Sequence, residues 1–340
     1  MASEREQFHR NMALDGDPVV VSRVAITYPV WKQFGAQLDA LETRSEHVRV
    51  GIARTPGRAA YAEETDRWGC HWIYPLEALD GVCIGHPLAS WEALAQYQAP
   101  DPDRFTDWQQ ARHDVAAAHA QGQPAHGGTD HGFIFLRLTY LRGFGPCMVD
   151  FAEGRPELEE LIARVEAYWM TVVRRWVELG VDSIGFGDDL GLQHALPISP
   201  ATWRRYIKPS YRRIFSYCRQ HGVHVSLHSD GHILDIIPDL IECGVSVLNP
   251  QDLVNGLDNI ERLAKGRVFL DLDIDRQAIT AFGTPPECLA HVRRCIERLG
   301  SPRGGLSLVW GVYPGTPLAN IQAVVEGMAE GATHWCRGSR

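Results

Sequence analysis

The stretch Leu227-His228-Ser229-Asp230-Gly231 sets an imidazole and a carboxylate two residues apart. Such a pair can share one ligand, one proton or one metal ion. It follows a short apolar run, Val223–Leu227, that reads as a buried strand, and it precedes residues of helical period from His232 to Cys243. At that junction Ser229 or Asp230 could instead cap the helix. A second acidic strand end follows Val181–Gly187 and reads Asp188-Asp189-Leu190-Gly191. The flanking glycines let a backbone or a ligand come close. Two adjacent carboxylates need a metal, an arginine or a shared proton, unless one faces solvent while the other caps.

Polar groups recur at the ends of the later strands: Asn249-Pro250-Gln251-Asp252, Asp271-Leu272-Asp273, and Trp310 through Tyr313 to Gly315. Asp271 and Asp273 are the weakest of these candidates, because loop aspartates commonly make turns. Arg142, beside Gly143, suits a carboxylate or a phosphate, and an exposed surface arginine is the alternative. Among the histidines at 221, 224, 228 and 232, His224 reads as structural and His221 as a helix-end cation.

The elements that must position these groups alternate regularly from about residue 130. Strand-like runs at Phe133–Leu136, Val181–Gly187, Val223–His228, Val245–Leu248, Val268–Asp271 and Leu306–Trp310 each precede a helical segment. The helices are expected at Leu158–Leu179, Pro200–Gln220, Ile233–Cys243, Asp258–Ala264, Pro286–Leu299 and Leu318–Ala329. This rhythm is that of βαβ crossovers. Val24–Tyr28 followed by Val30–Leu41 supplies a further unit. The expected fold class is α/β, a (β/α)8 TIM-type barrel forming one domain over residues 1–340. An irregular excursion from about 50 to 125, rich in Trp, Gly and Pro, is expected over its mouth. An open doubly wound sheet is the alternative, but no G-x-G-x-x-G follows the first strand. In a barrel of this kind active sites form at the carboxyl ends of the strands.

The 340 residues carry a net charge of −9, with 45% hydrophobic and 22% charged residues. That is ordinary for a soluble globular chain, and the absence of a basic field argues against a nucleic-acid partner. The eight cysteines include no C-x-x-C pair. Cys218 and His221 form only a weak metal signal, and Cys288 and Cys295 read as core packing. With no apolar leader segment and no run of 18 apolar residues, a cytoplasmic location, reduced thiols and no membrane partner are expected.

Several motifs together resemble the uroporphyrinogen decarboxylase-like superfamily of (β/α)8 barrels. They are Asp66-Arg67-Trp68-Gly69-Cys70, His86-Pro87-Leu88, Gly187-Asp188-Asp189-Leu190-Gly191, Ile198-Ser199-Pro200, Ile207-Lys208-Pro209, His228-Ser229-Asp230-Gly231, Ile237–Ile241, Leu248-Asn249-Pro250 and Pro314–Ile321. They span residues 65 to 325, and no single one is specific. True uroporphyrinogen decarboxylases carry an N-terminal Arg-Gln-Ala-Gly-Arg motif, where this chain reads Thr27-Tyr28-Pro29-Val30-Trp31. The superfamily's zinc-dependent methyltransferases, which work with a corrinoid protein, use a His-x-Cys pair and a later Cys. His228 matches that histidine, while Asp230 stands where the first cysteine would be and Trp310 near where the second would be. A carboxylate in place of thiolate makes a harder site with weaker preference for zinc.

The resemblance implies a methyltransferase or demethylase component that takes a small-molecule substrate and a methylated corrinoid carried by a partner protein. Zinc would be held by His228, Asp230 and Asp188, with Asp189 completing the catalytic group. Arg142, Asn249, Gln251, Tyr313 and Trp68 would bind substrate. Without a metal, His228 and Asp230 remain a general acid/base pair. A cofactor-independent decarboxylase of an acidic substrate and a non-catalytic small-molecule-binding barrel are the rival readings.

Overall fold

The structure, a computed structural model, describes residues 2–338. Its strands are β1 (Val21–Ile26), β2 (Val48–Ile52), β3 (Ala62–Thr65), β4 (His71–Tyr74), β5 (Val82–Gly85), β6 (His126–His131), β7 (Ser183–Gly187), β8 (His224–Ser229), β9 (Val247–Pro250), β10 (Phe269–Asp273) and β11 (Leu306–Val312). Eight of them make one sheet in the order β2-β1-β11-β10-β9-β8-β7-β6, and β3-β4-β5 make a second, smaller sheet. The large sheet follows cyclic chain order, with the last strand paired in parallel to the first: Val21 lies opposite Ser307 and Ile26 opposite Val312. A doubly wound sheet would reverse direction at a switch point. This order is instead that of an α/β TIM-type barrel. No helix among the described residues is long and apolar enough to cross a membrane.

The chain divides into two compact units. The first comprises the residues up to His9, Glu63–Ile73 and Cys83–Leu248, and the second Arg10–Ala62, Tyr74–Val82 and the chain from Asn249 onward. In the first unit the long helix Pro156–Leu179 starts with proline at its first turn, carries Glu157 and Glu159 there, and ends at Gly180 in the left-handed conformation. Those are the expected start and stop signals. Its buried stripe, Leu158, Leu161, Ile162, Val165, Trp169, Val172 and Val173, recurs every three or four residues. In the second unit the helices Pro285–Leu299 and Leu318–Gly331 bury the same kind of stripe, from Val292, Ile296, Ile321, Val324 and Val325.

The structure differs from the sequence reading at particular places. Phe133–Leu136 is not a strand, because Phe135 opens the helix Phe135–Arg142. The strand before it is β6, His-Gly-Gly-Thr-Asp-His, which has no aliphatic residue. Its glycines are packing requirements: a Cβ on Gly127 would sit 2.6 Å from the ring of Trp176 on the long helix. The segment 50–125 is irregular only in its middle, since β2 enters it and the helix Trp108–Ala120 precedes β6. The expected helix 200–220 is two helices, Pro200–Tyr206 and Lys208–Gln220, meeting at Ile207 before Pro209.

At the amino-terminal end of β8, His224 Nδ1 lies 3.0 Å from Arg219 and its Nε2 lies 3.2 Å from His9. Burial, with Arg219 and His9 close by, lowers this imidazole to about 4. Beside it, Asp182 accepts hydrogen bonds from Ala125 N, Arg5, His9 and His119. Burial alone would raise that carboxyl, but these donors outweigh it and bring it to about 2. Both groups bind their protons more weakly when folded. The His224 contribution to stability is therefore whole above about pH 6.5 and lost towards 4. The Asp182 contribution is whole above about pH 3.9 and lost towards 2. The urea midpoint should fall in two steps on acidification, and His224→Gln should flatten the upper one. A midpoint constant from pH 6.5 to 4, within ordinary error, would contradict this account.

Candidate active site

The candidate site belongs to the first unit and is built where β6, β7 and β8 end. His131 closes β6, in register with Gly187 at the end of β7. A Cβ on Gly187 would stand 2.7 Å from the His131 ring, so glycine there makes room for the imidazole. Gly132 N and Phe133 N both donate to the Gly187 carbonyl, which fixes the turn that follows His131.

The loops after β7 and β8 then cross in contact. A Cβ on Gly191 would lie 2.3 Å from His232 N, and one on Gly231 would lie 2.2 Å from the Gly191 carbonyl carbon. Gly231 also has a φ of 83°, a region that disfavours side chains. Hydrogen bonds surround the crossing: Asp188 N to the His228 carbonyl, Gly191 N to the Asp230 carbonyl, His232 N to the Leu192 carbonyl and Leu190 N to Ser229 Oγ. Asp230 N donates to Asp189 Oδ1 at 2.9 Å. Asp189 is thereby pinned against the end of β8.

Four side chains converge as a result. Asp189 Oδ1 lies 3.4 Å from His131 Nε2 and 3.6 Å from His228 Nε2. Asp230 Oδ1 is 3.5 Å from His228 Nε2. The donor atoms of His131, Asp189 and His228 all lie within 4.8 Å of one another. Around a tetrahedral zinc with ligand distances near 2.0–2.1 Å, neighbouring ligand atoms stand roughly 3.3 Å apart. Two imidazoles and a carboxylate with these edges fit a divalent metal such as zinc, and all three side chains are partly exposed, which leaves a face for a further ligand. The histidine and the carboxylate also bias each other's titration towards an ion pair. The hydrogen bond to Asp189 raises His131, while burial raises the Asp189 carboxyl less than His131, the Asp230 N–H and His228 together lower it.

The sequence-derived site is thus partly regrouped. His228, Asp230 and Asp189 come together, with His131 as a partner that the sequence reading did not name. Its one signal was a polar, glycine-rich strand ending in histidine. Asp188, expected as a metal ligand and catalytic residue, turns into the core. Its carboxylate is wholly buried and accepts from the backbone N–H groups of Ile134, Phe135 and Leu136 at 3.0, 2.7 and 2.7 Å, and from the Tyr211 hydroxyl at 2.7 Å. Burial pushes this carboxyl up and the four donors pull against it. Adjacent residues on an extended chain face opposite ways, and only one of the pair can reach the cluster. Arg142, expected to bind substrate, is also buried. It donates to Asp150 at 2.8 Å and to the Leu88 and Ala89 carbonyls, and it stacks on Trp91. Trp68 is a core side chain, 2% exposed, under the guanidinium of Arg137.

The remaining expected residues stand at strand ends of the second unit. Asn249 donates to the Asp271 carbonyl. Gln251 bridges to Asp273 beside β10. The Tyr313 hydroxyl accepts from Arg276, whose guanidinium also pairs with Asp273 at 2.7 Å. A second group with metal-ligand chemistry, Asp252, His291 and Cys295, is fully buried in this unit and tied by a 2.7 Å His291–Asp252 hydrogen bond. It has no exposed face for a substrate.

The chain belongs to the uroporphyrinogen decarboxylase family: the family pattern, Uroporphyrinogen decarboxylase (URO-D), matches residues 80–330. Two curated relatives, the uroporphyrinogen decarboxylases of two strains of Thermus thermophilus, are each 32% identical to it over 139 residues. That match covers 38% of this chain and 37% of each relative's length. A solved methyltransferase from Methanosarcina mazei shares the fold with a TM-score of 0.63, covering 97% of this chain and 99% of its own at 17% identity.

Gly231→Ala should disorganise the crossing and cost more than about 1 kcal/mol, seen as a lowered denaturation midpoint. Arg142→Ala should cost about 3–5 kcal/mol, because it leaves Asp150 buried and unpaired. A variant of Arg142 that keeps its full stability and loses only ligand affinity would show that the residue is not structural.

Proposed function

We propose that this protein is a methyltransferase or demethylase component that acts with a corrinoid protein, with metal-assisted chemistry at His131, Asp189 and His228. The observation that carries the reading is the pair of donor edges at 3.4 and 3.6 Å meeting on Asp189 Oδ1. A bound divalent metal such as zinc would supply a Lewis-acidic centre that makes the heteroatom bearing the methyl group a better leaving group. His131 and His228 would present neutral imidazole nitrogens, and Asp189 a carboxylate held by the Asp230 N–H. Asp230, 3.5 Å from His228, would orient that imidazole or move a proton at the substrate heteroatom. This set revises the one expected from the sequence: Asp189 and His131 take the ligand places given to Asp188 and Asp230. The Methanosarcina protein, which shares the fold, is a methyltransferase. In the second unit, Asn249, Gln251 and Tyr313 remain the proposed substrate-binding residues. A cytoplasmic location stays part of the proposal.

The curated relatives are decarboxylases, and they favour a second reading in which an acidic substrate loses carbon dioxide without a cofactor. It requires cations that grip carboxylates, and Arg142 is already spent on Asp150.

Metal analysis of the purified protein separates the two. The first reading expects about one divalent metal per chain, lost in His131→Ala and His228→Ala while the denaturation midpoint stays within about 1 kcal/mol of the parent, because the cluster is not part of the core. Demethylation of a methylated donor by the holoprotein with a corrinoid protein should vanish in the same variants. Metal-free protein that decarboxylates an acidic substrate at full rate would establish the second reading instead.

A further inference from the structure

The helix Phe135–Arg142 carries two buried arginines, and their guanidinium groups are satisfied very differently. Arg142 spends its donors on Asp150 and on the Leu88 and Ala89 carbonyls. Arg137, 3% exposed, donates one hydrogen bond, from Nη1 to Asp66 Oδ2 at 3.2 Å. That carboxylate is shared, since Asp66 also accepts from Trp68 N, Cys70 N and the Trp72 indole. The Asp66–Cys70 motif thus fixes the guanidinium, which lies over the rings of Trp68 and Tyr140.

Arg137 Nε is buried with no acceptor, and Nη2 has none among the described residues. These two groups lie side by side on one edge of the guanidinium plane, a fork that matches the two oxygens of a carboxylate. The chain uses this edge in that way elsewhere. Arg204 grips Asp239, Arg213 grips Glu166 and Arg298 grips Glu261, each through Nε and Nη2. In Arg137 no protein acceptor meets the fork. Buried donors left without acceptors cost free energy, so a ligand that brings two oxygens and a negative charge is favoured there.

The fork also stands beside the candidate site. A Cβ on Gly132 would be 3.4 Å from Arg137 Nη2 and 2.8 Å from the Tyr140 ring. Gly132, with a φ of 95°, directly follows His131. The missing side chain lets the guanidinium come up to the turn that leaves the metal-ligand cluster.

We propose that Arg137 is a substrate-binding residue whose Nε–Nη2 edge takes a carboxylate, and hence that the methylated substrate is a carboxylic acid. The assignment rests on the reading of His131, Asp189 and His228 as the reacting centre. The role expected of Arg142 passes to a residue five positions earlier on the same helix. An ion pair stabilises a carboxylate in the ground state and so opposes its loss as neutral carbon dioxide. The group is therefore a handle that is kept through the reaction, while the chemistry takes place at the heteroatom that bears the methyl group.

Isothermal titration calorimetry of the purified full chain tests this, with acetate and benzoate as probes and acetamide and benzamide as their neutral counterparts. At least one of the carboxylates should bind, and its amide should bind at least about tenfold more weakly. Arg137→Gln should weaken the carboxylate by about tenfold or more and abolish the preference over the amide. Arg137→Lys, which keeps the charge and loses the fork, should fall between the two. His228→Ala should keep the preference, so that carboxylate binding and metal content are read separately. A preference lost in His228→Ala and intact in Arg137→Gln would place the carboxylate on the metal and overturn the proposal. So would wild-type protein that binds neither carboxylate, or acid and amide alike. Should Arg137→Gln fail to fold, Arg137→Lys decides, and an unchanged carboxylate affinity in it would refute the assignment.

Discussion

The crossing of two glycines, Gly191 and Gly231, is the constraint on which the candidate site depends. Each would place a Cβ inside the other's backbone. With both side chains absent, the loops after β7 and β8 come close enough to exchange hydrogen bonds directly. That contact brings the Asp230 N–H to Asp189, and hence Asp189 to His228. A third glycine, Gly187, does the same for His131 by leaving space for its ring. The donor set is therefore assembled by the absence of side chains at three positions as much as by the residues that present donors.

Asp188 is the internal counterpart of that exposed cluster. Its carboxylate satisfies three backbone N–H groups at the start of the helix Phe135–Arg142, groups that the helix itself leaves without partners. The same residue ties the β7 loop to that helix and, through its own N–H, to the His228 carbonyl. The adjacent aspartates thus divide two tasks. One anchors the scaffold from inside, and the other faces the partly exposed cluster. The polar groups at the opposite ends of these strands, Asp182 and His224 with Arg5, His9 and His119, are satisfied by one another. Their chemistry is that of stability.

Much of this was legible in the residues. The alternation of apolar runs and helical segments and the acidic and histidine-bearing strand ends led to the barrel and to His228, Asp230 and Asp189. β6 was not legible. Its glycines carry no hydrophobic period, because Trp176 of the neighbouring helix supplies the apolar contact that a strand side chain would otherwise make. With β6 went His131, and the apolar stretch Phe133–Leu136 took its place in the reading although its backbone turns into a helix.

What the sequence by itself determined is the fold class and the strand ends where polar groups collect, since these follow from local periodicity, caps and turns. The tertiary structure alone decided which polar group at each end is spent on the scaffold. Asp188 and Asp189 are the same residue type, one position apart, and nothing local separates them. Burial against Tyr211 and three peptide N–H groups claims the first, and the close approach of Gly231 presents the second to two imidazoles. Arg142 was claimed likewise by Asp150, eight residues along the chain on the next helix, and by carbonyls more than fifty residues away. Partners so distant in sequence are set by packing, and packing is a property of the whole fold.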